Sequence, residues 1–410
     1  MRRIFRGSVV VPSVFLLVFL LANPLDSLAQ TAKSMAGLAV ADGGGNGATD
    51  DTPLPAGAWR FIVSGDSRNC GDVVMPTIAK NSQQYHPKFY WHLGDLRAIF
   101  EIDEDMVAAA KLKKESLSCT TYQQTAWNDF IEHQIAPFEG IPFYVGIGNH
   151  EVIPPKNEDA FKREFRATLD MPQLHQQRIA DNEPAEPQTY YHWIERGVDF
   201  LYLDNANNFF PEEELTWFFR RLSDAQNSKD IKSVVVGMHE ALPDSIANNH
   251  SMGDNVDARA RQTGTLVYNA LWKFHQDTKR PVYVLASHSH FYLENIFDTD
   301  AIKAGGKGSL PGWIAGAAGA QRYLLPDGTP WLQYGYMLAT VAGDGTIAFE
   351  FKKVEQSEVP DEVIKRYPPD LISWCWDSNS KARKPHPEYS NQMCPLPTPD
   401  AENAKPVVKH

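Results

Sequence analysis

The chain has 410 residues, of which 43% are hydrophobic and 22% are charged, so most of it can bury a core in one large domain or two ordinary ones. The net charge is -12 with histidine neutral, and no basic run is visible. Because a nucleic-acid backbone attracts basic surfaces, this balance argues against a specific nucleic-acid partner.

The first 29 residues have the pattern of a signal peptide. Three arginines among the first six residues precede an apolar run at 9–22, and Ser27-Leu28-Ala29 is a small-x-small cleavage site. The apolar run is short for a membrane span of about 20 residues. We therefore expect cleavage after Ala29, a secreted or periplasmic location, and no membrane span in the mature protein. The alternative is an uncleaved membrane anchor.

Export changes the interpretation of the four cysteines. An oxidising compartment favours disulfides, and four cysteines allow three pairings. Proximity in the chain favours Cys70–Cys119 and Cys375–Cys394. The spacings fit no zinc-ribbon pattern, so a structural zinc is not expected.

After the signal peptide, the composition predicts a flexible leader at 30–57, a folded domain at 58–355 and an extended, Pro-rich tail at 356–410. Apolar runs that end in polar or glycine turns predict strands at 59–64, 88–93, 141–147, 198–203, 231–238, 281–286, 312–315, 336–341 and 347–351. Helical stretches lie between them, at 126–135, 212–222 and 258–276. This alternation predicts an α/β layered domain. Two insertions, at 99–125 and 152–188, each follow a motif turn and are placed to overhang one site.

Six polar side chains follow directly on the predicted strands, where ligands of open α/β sheets bind. They are Asp66, Asp95, Asn149, His239, His288 and His290. His288 and His290 are two residues apart, so both would face the same way on a strand. Two carboxylates, an amide oxygen and three imidazoles suit a pair of divalent ions, which can clamp the attacking and leaving oxygens of a phosphoryl transfer.

In this order, the motifs Gly65-Asp66, Gly94-Asp95, Gly148-Asn149-His150-Glu151, Val236-Gly237-Met238-His239 and His288-Ser289-His290 resemble the calcineurin-like metallophosphoesterase superfamily. Purple acid phosphatases and many exported phosphodiesterases belong to that superfamily. The resemblance covers about residues 58 to 350 and makes 58–355 the expected metallophosphoesterase domain. It implies a four-layer sandwich, in which two mixed β-sheets lie face to face with helices outside.

The resemblance also implies roles for these residues. Asp95 would bridge two metals, with Asn149, His239 and His288 completing one site. Asp66 and His290 would share the other site with Asp95. His150 would not be a ligand but would stabilise or protonate the leaving-group oxygen, which suits a side chain that exchanges protons near neutral pH.

This sequence departs from the family pattern at two positions. Arg68 stands where many members have a ligating histidine, and Ala98 stands where purple acid phosphatases have a tyrosine. Water or another residue fills the gap, the site binds metal weakly, or Arg68 contacts substrate phosphate, for which arginine is suited. We favour the last alternative, combined with the first. Tyr122 or Tyr144 could serve as a distal ligand, although nothing local in the sequence supports either.

Further candidates for the substrate pocket lie near these motifs. Arg97 would assist Arg68, His250 follows His239 on the next loop, and Arg322 lies just past the small-residue turn at 316–320. His92 and the remaining histidines fit no ligand pattern and are interpreted as structural.

The sequence therefore predicts an exported, metal-dependent phosphoesterase, in which a metal-activated hydroxide attacks a phosphate ester. The cofactors would be one or two divalent ions, with Zn, Mn and Fe all open, although the absence of the tyrosine argues against a purple Fe(III)-tyrosinate centre. The alternative is a catalytically impaired protein that binds phosphate or another ligand on the same scaffold. Monoesters, diesters, nucleotides, phospholipids and phosphoproteins are all handled by the family, and the insertions would decide among them.

Overall fold

The computed structural model of the protein describes residues 54–254, 257–304, 308–383 and 392–395. The predicted signal peptide, residues 30–53 of the predicted leader and most of the tail beyond residue 383 lie outside the described residues. Within them, eleven strands form two mixed sheets. The strands are β1 (Trp59–Ser64), β2 (Tyr90–His92), β3 (Phe143–Val145), β4 (Tyr191–Glu195), β5 (Val198–Leu203), β6 (Ser233–Met238), β7 (Val282–Ala286), β8 (Tyr292–Glu294), β9 (Gly312–Ala315), β10 (Tyr334–Val341) and β11 (Ile347–Val354).

The first sheet has the order β11-β10-β1-β2-β3, and the second has the order β4-β5-β6-β7-β9-β8. In the first, β1, β2 and β3 are parallel, and β10 pairs antiparallel with β1. In the second, β5, β6, β7 and β9 are parallel, with an antiparallel strand at each edge.

The described α-helices are α1 (Gly71–Ser82), α2 (Glu104–Leu112), α3 (Cys119–Phe130), α4 (Glu158–Glu164), α5 (Arg166–Leu169), α6 (Pro172–Ala180), α7 (Glu212–Asn227), α8 (Ala258–Thr278), α9 (Asp300–Ala304), α10 (Asp361–Arg366) and α11 (Pro369–Asp377). Among the described residues, none of these helices combines the length and apolarity that a membrane crossing needs.

The two sheets pack face to face through aromatic side chains. Phe61 of β1 meets Phe200 of β5 edge to face at 5.1 Å between ring centroids, and Trp91 of β2 meets Trp193 of β4 at 5.2 Å. Aromatic pairs at these separations contribute beyond the area that they bury. This inner layer explains why the sheets stay in register at the edge where the polar residues emerge.

The outer faces of the sheets are covered by helices. Successive β6 side chains alternate between layers, as a strand requires: Val235 joins the core between the sheets, whereas Val234 and Val236 join a second core with residues of α7 and α8. On the other side, α1 lies against β10 and β11. The predicted four-layer α/β sandwich is confirmed.

Each of the nine predicted strands overlaps an observed one, but β4 and β8 were missed. The β4 sequence ends in a turn containing Arg196 and Gly197, and β8 has only three residues, all at least partly exposed. Neither carries a clear apolar run. The helix predicted to begin at residue 126 begins at Cys119 instead, because the side chain of Ser118 accepts the backbone N–H of Thr121 as an N-cap.

The prediction of an extended tail was wrong for residues 361–377, which form α10 and α11. Leu371 and Trp374 are buried in the main core, together with Tyr367 between the two helices. Their helical spacing gives α11 an apolar face, which the proline content of the tail had obscured.

The predicted disulfide pairing was also wrong. The bonds are Cys70–Cys375 and Cys119–Cys394, with sequence separations of 305 and 275 residues. Proximity along the chain was a poor guide because α11 folds back onto the start of α1, and this packing brings Cys375 beside Cys70.

Candidate metal centre

The six predicted ligands emerge at one edge of the sandwich. Asp66, Asp95 and Asn149 follow β1, β2 and β3 of the first sheet, and His239, His288 and His290 follow β6 and β7 of the second. Because the carboxyl ends of these parallel strands meet at the same edge, loops from distant parts of the chain converge there.

Three of these residues adopt a backbone conformation that side chains disfavour. The φ angles of Asp66, Asp95 and His288 are 58°, 59° and 64°. Such left-handed conformations for residues other than glycine concentrate at functional sites and persist only where the surroundings hold them. The surroundings do so here, because Asp66 N–H donates to Gly94 O at 3.0 Å and Ser67 N–H donates to Asp95 O at 3.1 Å.

The first ligand set consists of Asp95, Asn149, His239 and His288. The Nε2 atom of His239 lies 3.1 Å from Asp95 Oδ1, 3.0 Å from Asn149 Oδ1 and 3.1 Å from His288 Nδ1. The donor atoms of Asp95, His239 and His288 all lie within 4.8 Å of one another. This spacing allows one ion to contact them together.

The second ligand set shares Asp95 with the first. Asp66, Asp95 and His290 also offer donor atoms within 4.8 Å of one another. The Nε2 atom of His290 lies 3.3 Å from Asp66 Oδ1. The backbone N–H of His288 donates to Asp66 Oδ2 at 2.7 Å, so the two sets are joined through this carboxylate as well as through Asp95.

Orphaned oxygens show that these residues fit a cation. Asp66 Oδ1 and Asp95 Oδ2 are buried and have no hydrogen-bond partner, which is costly for carboxylates unless a positive charge faces them. The backbone leaves room around the two carboxylate groups, because a Cβ atom on Gly148 would lie 2.3 Å from Asp95 Oδ1 and one on Gly316 would lie 2.7 Å from Asp66 Oδ2.

The pKa of His239, the central residue of the first ligand set, is shifted by the same carboxylates. Burial alone would lower the pKa of His239, but the carboxylate of Asp95 outweighs it and raises the pKa to about 10. In the absence of an ion, a proton on His239 therefore balances Asp95. A divalent ion between them would replace that positive charge.

The imidazoles are oriented by hydrogen bonds on their far sides. The Nδ1 atoms of His239 and His290 face the carbonyl oxygens of Leu93 and Gln321 at 3.0 and 2.7 Å. Because a carbonyl only accepts, Nδ1 carries the proton and the Nε2 lone pair faces the centre, where that of His290 also accepts from Arg68 Nη2 at 3.3 Å. His288 differs, since it is Nδ1 that approaches His239. The expected strand placement of His288 and His290 was wrong: β7 ends at Ala286, and the two rings serve different ligand sets.

His150 lies beside the first set without joining it. Its Nε2 atom is 3.5 Å from Asp95 Oδ2, and its Nδ1–H donates to Ala98 O at 2.6 Å. Burial, together with the positive charge of Arg68, lowers the pKa of His150 to about 4. The imidazole is therefore neutral at pH 7.

Arg68 and His250 lie at the rim of the same centre. Arg68 is 7% exposed, and its Nη2 atom is 3.3 Å from His290 Nε2. Its Nε is buried without a hydrogen-bond partner, and the nearest carboxylate, Glu101, is 4.0 Å away. The ring of His250 lies 5.4 Å from that of His288. Both residues lie beside the candidate ligands, and their role in substrate binding stays a prediction.

Arg97 and Arg322 do not reach this centre, which corrects their predicted role in substrate binding. Arg97 points away into a group of aspartates and is fully buried. The guanidinium of Arg322 donates to four backbone carbonyls, at Leu332, Cys375, Trp376 and Asn379. The guanidinium groups of both arginines are engaged in structural ion pairs and hydrogen bonds, because the loops that carry them turn inward.

The tyrosines considered as distal ligands are also engaged elsewhere. The hydroxyl of Tyr122 donates to Asp103, and that of Tyr144 donates to Gln173. Neither tyrosine therefore takes the place of the ligand that is missing at Arg68 and Ala98.

Two residues that shape the centre were not singled out from the sequence. The Glu151 carboxylate accepts the N–H groups of Gly148, Asp95 and Leu96 at 2.8 to 2.9 Å and so fixes the turn that presents Asp95. Asn205, which follows β5, accepts the N–H of His239 at 3.1 Å. The Gly-Asn-His-Glu motif and the polar turn after β5 were the signals that pointed to them.

No family model and no curated protein matches the sequence. Among solved structures, purple acid phosphatase PPD1 from yellow lupin (Lupinus luteus) seeds has 14% identity and a TM-score of 0.48, over 73% of this chain and 52% of its own. The chain thus spans about half the length of that protein. GAP50, titled the anchor in the inner membrane complex of Plasmodium, has 12% identity and a TM-score of 0.42, over 80% and 98%.

A third structure, PhoD, has 14% identity and a TM-score of 0.43, over 74% of this chain and 72% of its own. At such low identities and TM-scores, the assignment of the centre rests on the residues of this chain alone. In the order of its motifs and in its layered sandwich of two mixed sheets, the chain resembles the calcineurin-like metallophosphoesterase superfamily.

Proposed function

We propose that the protein is an exported, metal-dependent phosphoesterase that holds one or two divalent ions, of Zn, Mn or Fe. The observation that supports this most strongly is the pair of ligand sets that share Asp95. Each set brings three charged or imidazole donors within reach of one ion, and each includes an orphaned, buried carboxylate oxygen.

In this proposal, Asp95 is common to both ions, Asn149, His239 and His288 complete one ligand set, and Asp66 and His290 complete the other. The ions would supply Lewis acidity and make water a usable nucleophile near neutral pH. The protein's own part is to fix the geometry: the carbonyl groups that hold His239 and His290, and the carboxylate of Glu151, keep the ligands in place before substrate arrives.

Arg68 is proposed to hold the phosphate of the substrate. Its side chain is enclosed, has an unpartnered Nε, and lies beside His290, so its guanidinium can form paired hydrogen bonds to two phosphate oxygens. Burial and the charge of Arg68 lower the pKa of His150, and phosphate bound at Arg68 would offset the second of these. His150 is proposed to stabilise or protonate the leaving-group oxygen.

The first experiment compares metal-free and metal-loaded protein on aryl phosphate monoesters and diesters. We expect a chelator to abolish hydrolysis and added Zn²⁺, Mn²⁺ or Fe²⁺ to restore it, with metal content measured on the same samples. An Asp244→Asn variant, which changes a partly exposed carboxylate outside the centre, is the matched control. If the loaded protein binds inorganic phosphate but hydrolyses no ester in the panel, it is the binding protein considered as the alternative.

The second experiment asks what Arg68 does. If it holds substrate, Arg68→Ala should raise KM or lower kcat/KM about tenfold, the size expected for one charged hydrogen-bonded contact, without changing metal content. If Arg68 merely occupies the place of a ligand, Arg68→His should raise metal content. The substrate role is wrong if Arg68→Ala leaves the kinetics unchanged.

Export is tested by expression of the full chain with its own N-terminus. We expect the exported protein to begin at Gln30, as read by mass spectrometry of the intact chain, and to contain no free thiol. A mature chain that retains residues 1–29 would contradict cleavage after Ala29.

A further inference from the structure

A short segment near the described end of the chain passes over the substrate side of the centre. Residues 378–383, here called the C-terminal hook, follow α11 and pair with the loop after β9. The N–H of Arg322 donates to Asn379 O at 3.2 Å, and the N–H of Lys381 donates to Arg322 O at 2.9 Å. The hook is therefore attached by its backbone to the loop that carries Arg322 and Tyr323.

Hydrogen bonds of Arg322 and Asn379, together with a nearby disulfide, hold the hook in place. Arg322 donates to the carbonyls of Cys375 and Trp376 just before the hook and of Asn379 within it. The side-chain amide of Asn379 donates to Gly319 O at 3.1 Å and Tyr334 Oη at 2.6 Å. The Cys70–Cys375 disulfide ties the helix before the hook to the start of α1, two residues after Arg68. These contacts fix the position of both Arg68 and Lys381.

Lys381 reaches the centre across one aromatic ring. Its Nζ atom lies 3.4 Å from the ring centroid of Tyr323, within the range of a cation–π contact. The Tyr323 ring stacks on His290 at 3.9 Å between centroids and lies 5.2 Å from His250. Arg68 contacts the same His290 directly. Two cationic side chains therefore lie at short range around one proposed metal ligand.

The two charges are balanced differently: burial opposes the charge of Arg68, but Tyr323, Asp95 and Glu101 outweigh it and raise the pKa of Arg68, whereas Lys381 is exposed. Within the described part of the chain, Lys381 forms no ion pair, and the nearest carboxylate to Arg68 is 4.0 Å away. Consistent with this, burial and then the charge of Arg68 lower the pKa of Lys381. Because Lys381 is exposed and has no carboxylate partner among the described residues, its ammonium group is available to an anion that also reaches Arg68.

We propose that Arg68 and Lys381 form a second anion subsite, and that the natural substrate is a phosphate ester carrying a second phosphoryl group next to the one that is cleaved. This proposal deepens the proposed function and rests on it. The cleaved phosphoryl group would lie against the ligand sets and Arg68. The second would lie toward the hook, because Lys381 is separated from the centre by the thickness of the Tyr323 ring.

The test compares an aryl monophosphate with the diphosphate ester of the same aryl alcohol. Lys381→Met keeps the length of the side chain and removes its charge. In this variant we expect kcat/KM for the diphosphate to fall about tenfold. That fall should be at least five times larger than the fall in kcat/KM for the monophosphate. Lys381→Arg should recover most of the loss. The control is Lys365→Met, which removes an exposed lysine on α10 away from the centre and should change neither substrate.

A binding measurement separates this proposal from the proposed function. Calorimetry on the metal-free protein should show that Lys381→Met weakens the binding of pyrophosphate about tenfold, and that of orthophosphate by less. If the loaded wild-type protein hydrolyses no ester but this difference in binding is found, the proposed function fails and the subsite stands. If both substrates and both anions respond equally to Lys381→Met, the subsite is wrong and the hook has only a structural role.

Discussion

Two buried carboxylate clusters follow β2, and they differ in where their positive charge comes from. Asp95 turns into the metal centre, whereas Arg97, two residues later, turns into what we call the Arg97 cluster: Arg97 with Asp72, Asp103, Asp105 and Asp129. The guanidinium of Arg97 contacts Asp72 and Asp129 directly, lies 3.0 Å from Asp105 and lies 3.8 Å from Asp103.

In the Arg97 cluster, the chain supplies the cation and further hydrogen-bond donors. Tyr367 and Gln134 donate to Asp72, and Tyr122 donates to Asp103. Although Asp72, Asp129 and His133 lie close enough to hold an ion, Arg97 already contacts both carboxylates.

In the metal centre, by contrast, Arg68 lies only at the rim, and oxygens of Asp66 and Asp95 are left without partners. Similar residues thus form a structural ion cluster in one place and, in the other, a candidate site whose unpartnered oxygens suit an external cation.

The largest effect should come from the shared ligand. Asp95→Asn removes one charge from both ligand sets, so we expect metal content to drop and hydrolysis to fall about 10³-fold or more. The metal-free variant should be less stable than metal-free wild type, because the proton on His239 loses the carboxylate that balances it. Metal analysis, kinetics and denaturant unfolding check this. A variant that keeps its metal and its activity would contradict the shared role of Asp95.

Arg97→Met should have the opposite profile. Removing Arg97 leaves its aspartates without their cation, and breaking a buried ion pair costs about 3 to 5 kcal/mol of unfolding free energy. We expect kcat of the folded fraction to be retained, since Arg97 is absent from the metal centre. The unfolding free energy of Arg97→Lys should lie between those of the wild-type protein and Arg97→Met. If a divalent ion restores the stability of Arg97→Met, the aspartates can bind metal once Arg97 is gone.

Chelation should distinguish the metal centre from the Arg97 cluster by its effect on thermal stability. An ion that binds the folded chain at 100 times its Kd stabilises it by about 2.7 kcal/mol. A chelator should therefore lower the Tm of the wild-type protein, and of Arg97→Lys by a similar amount, but should not change that of Asp95→Asn. An equal shift in all three would place the stabilising ion outside the metal centre.

The smallest expected effect on stability comes from a third buried ion cluster, around His192, and this effect depends on pH. His192 lies 2.9 Å from Asp199 and 2.5 Å from Asp181. Burial opposes the charged form, but Asp199 and Asp181 outweigh it and raise the pKa of His192 to about 9. The folded chain then holds a proton more tightly than the unfolded chain, so this stabilisation is complete below about pH 6.5 and is lost as the pH rises through 9.

We expect His192→Gln to lower the unfolding free energy by about 2 kcal/mol at pH 6, and the difference from wild type to shrink toward pH 9. Denaturant unfolding at several pH values measures it. His175→Gln, at a more exposed histidine on α6 that also faces an aspartate, is the control. A difference that is constant with pH would show that His192 contributes by packing rather than by charge.

Much of the centre could be predicted because each ligand is adjacent to a strand end. An apolar run followed by Gly-Asp or Gly-Asn-His is a local pattern, and parallel strands bring such ends to one edge whatever lies between them. The missed elements lack this local signature. Lys381 could not be found in this way, since it reaches the centre only through the pairing of the hook with Arg322.

The sequence by itself determined the layered α/β architecture, the order of the ligand residues and the substitution of Arg68 for a ligand, because these depend on residues that are close in the chain. Tertiary structure decided the disulfide partners of Cys70 and Cys119, the inward turn of Arg97 and the approach of Lys381 to Tyr323. These depend on which distant surfaces meet, and only packing of α11 against the first sheet and α1 brings those surfaces together.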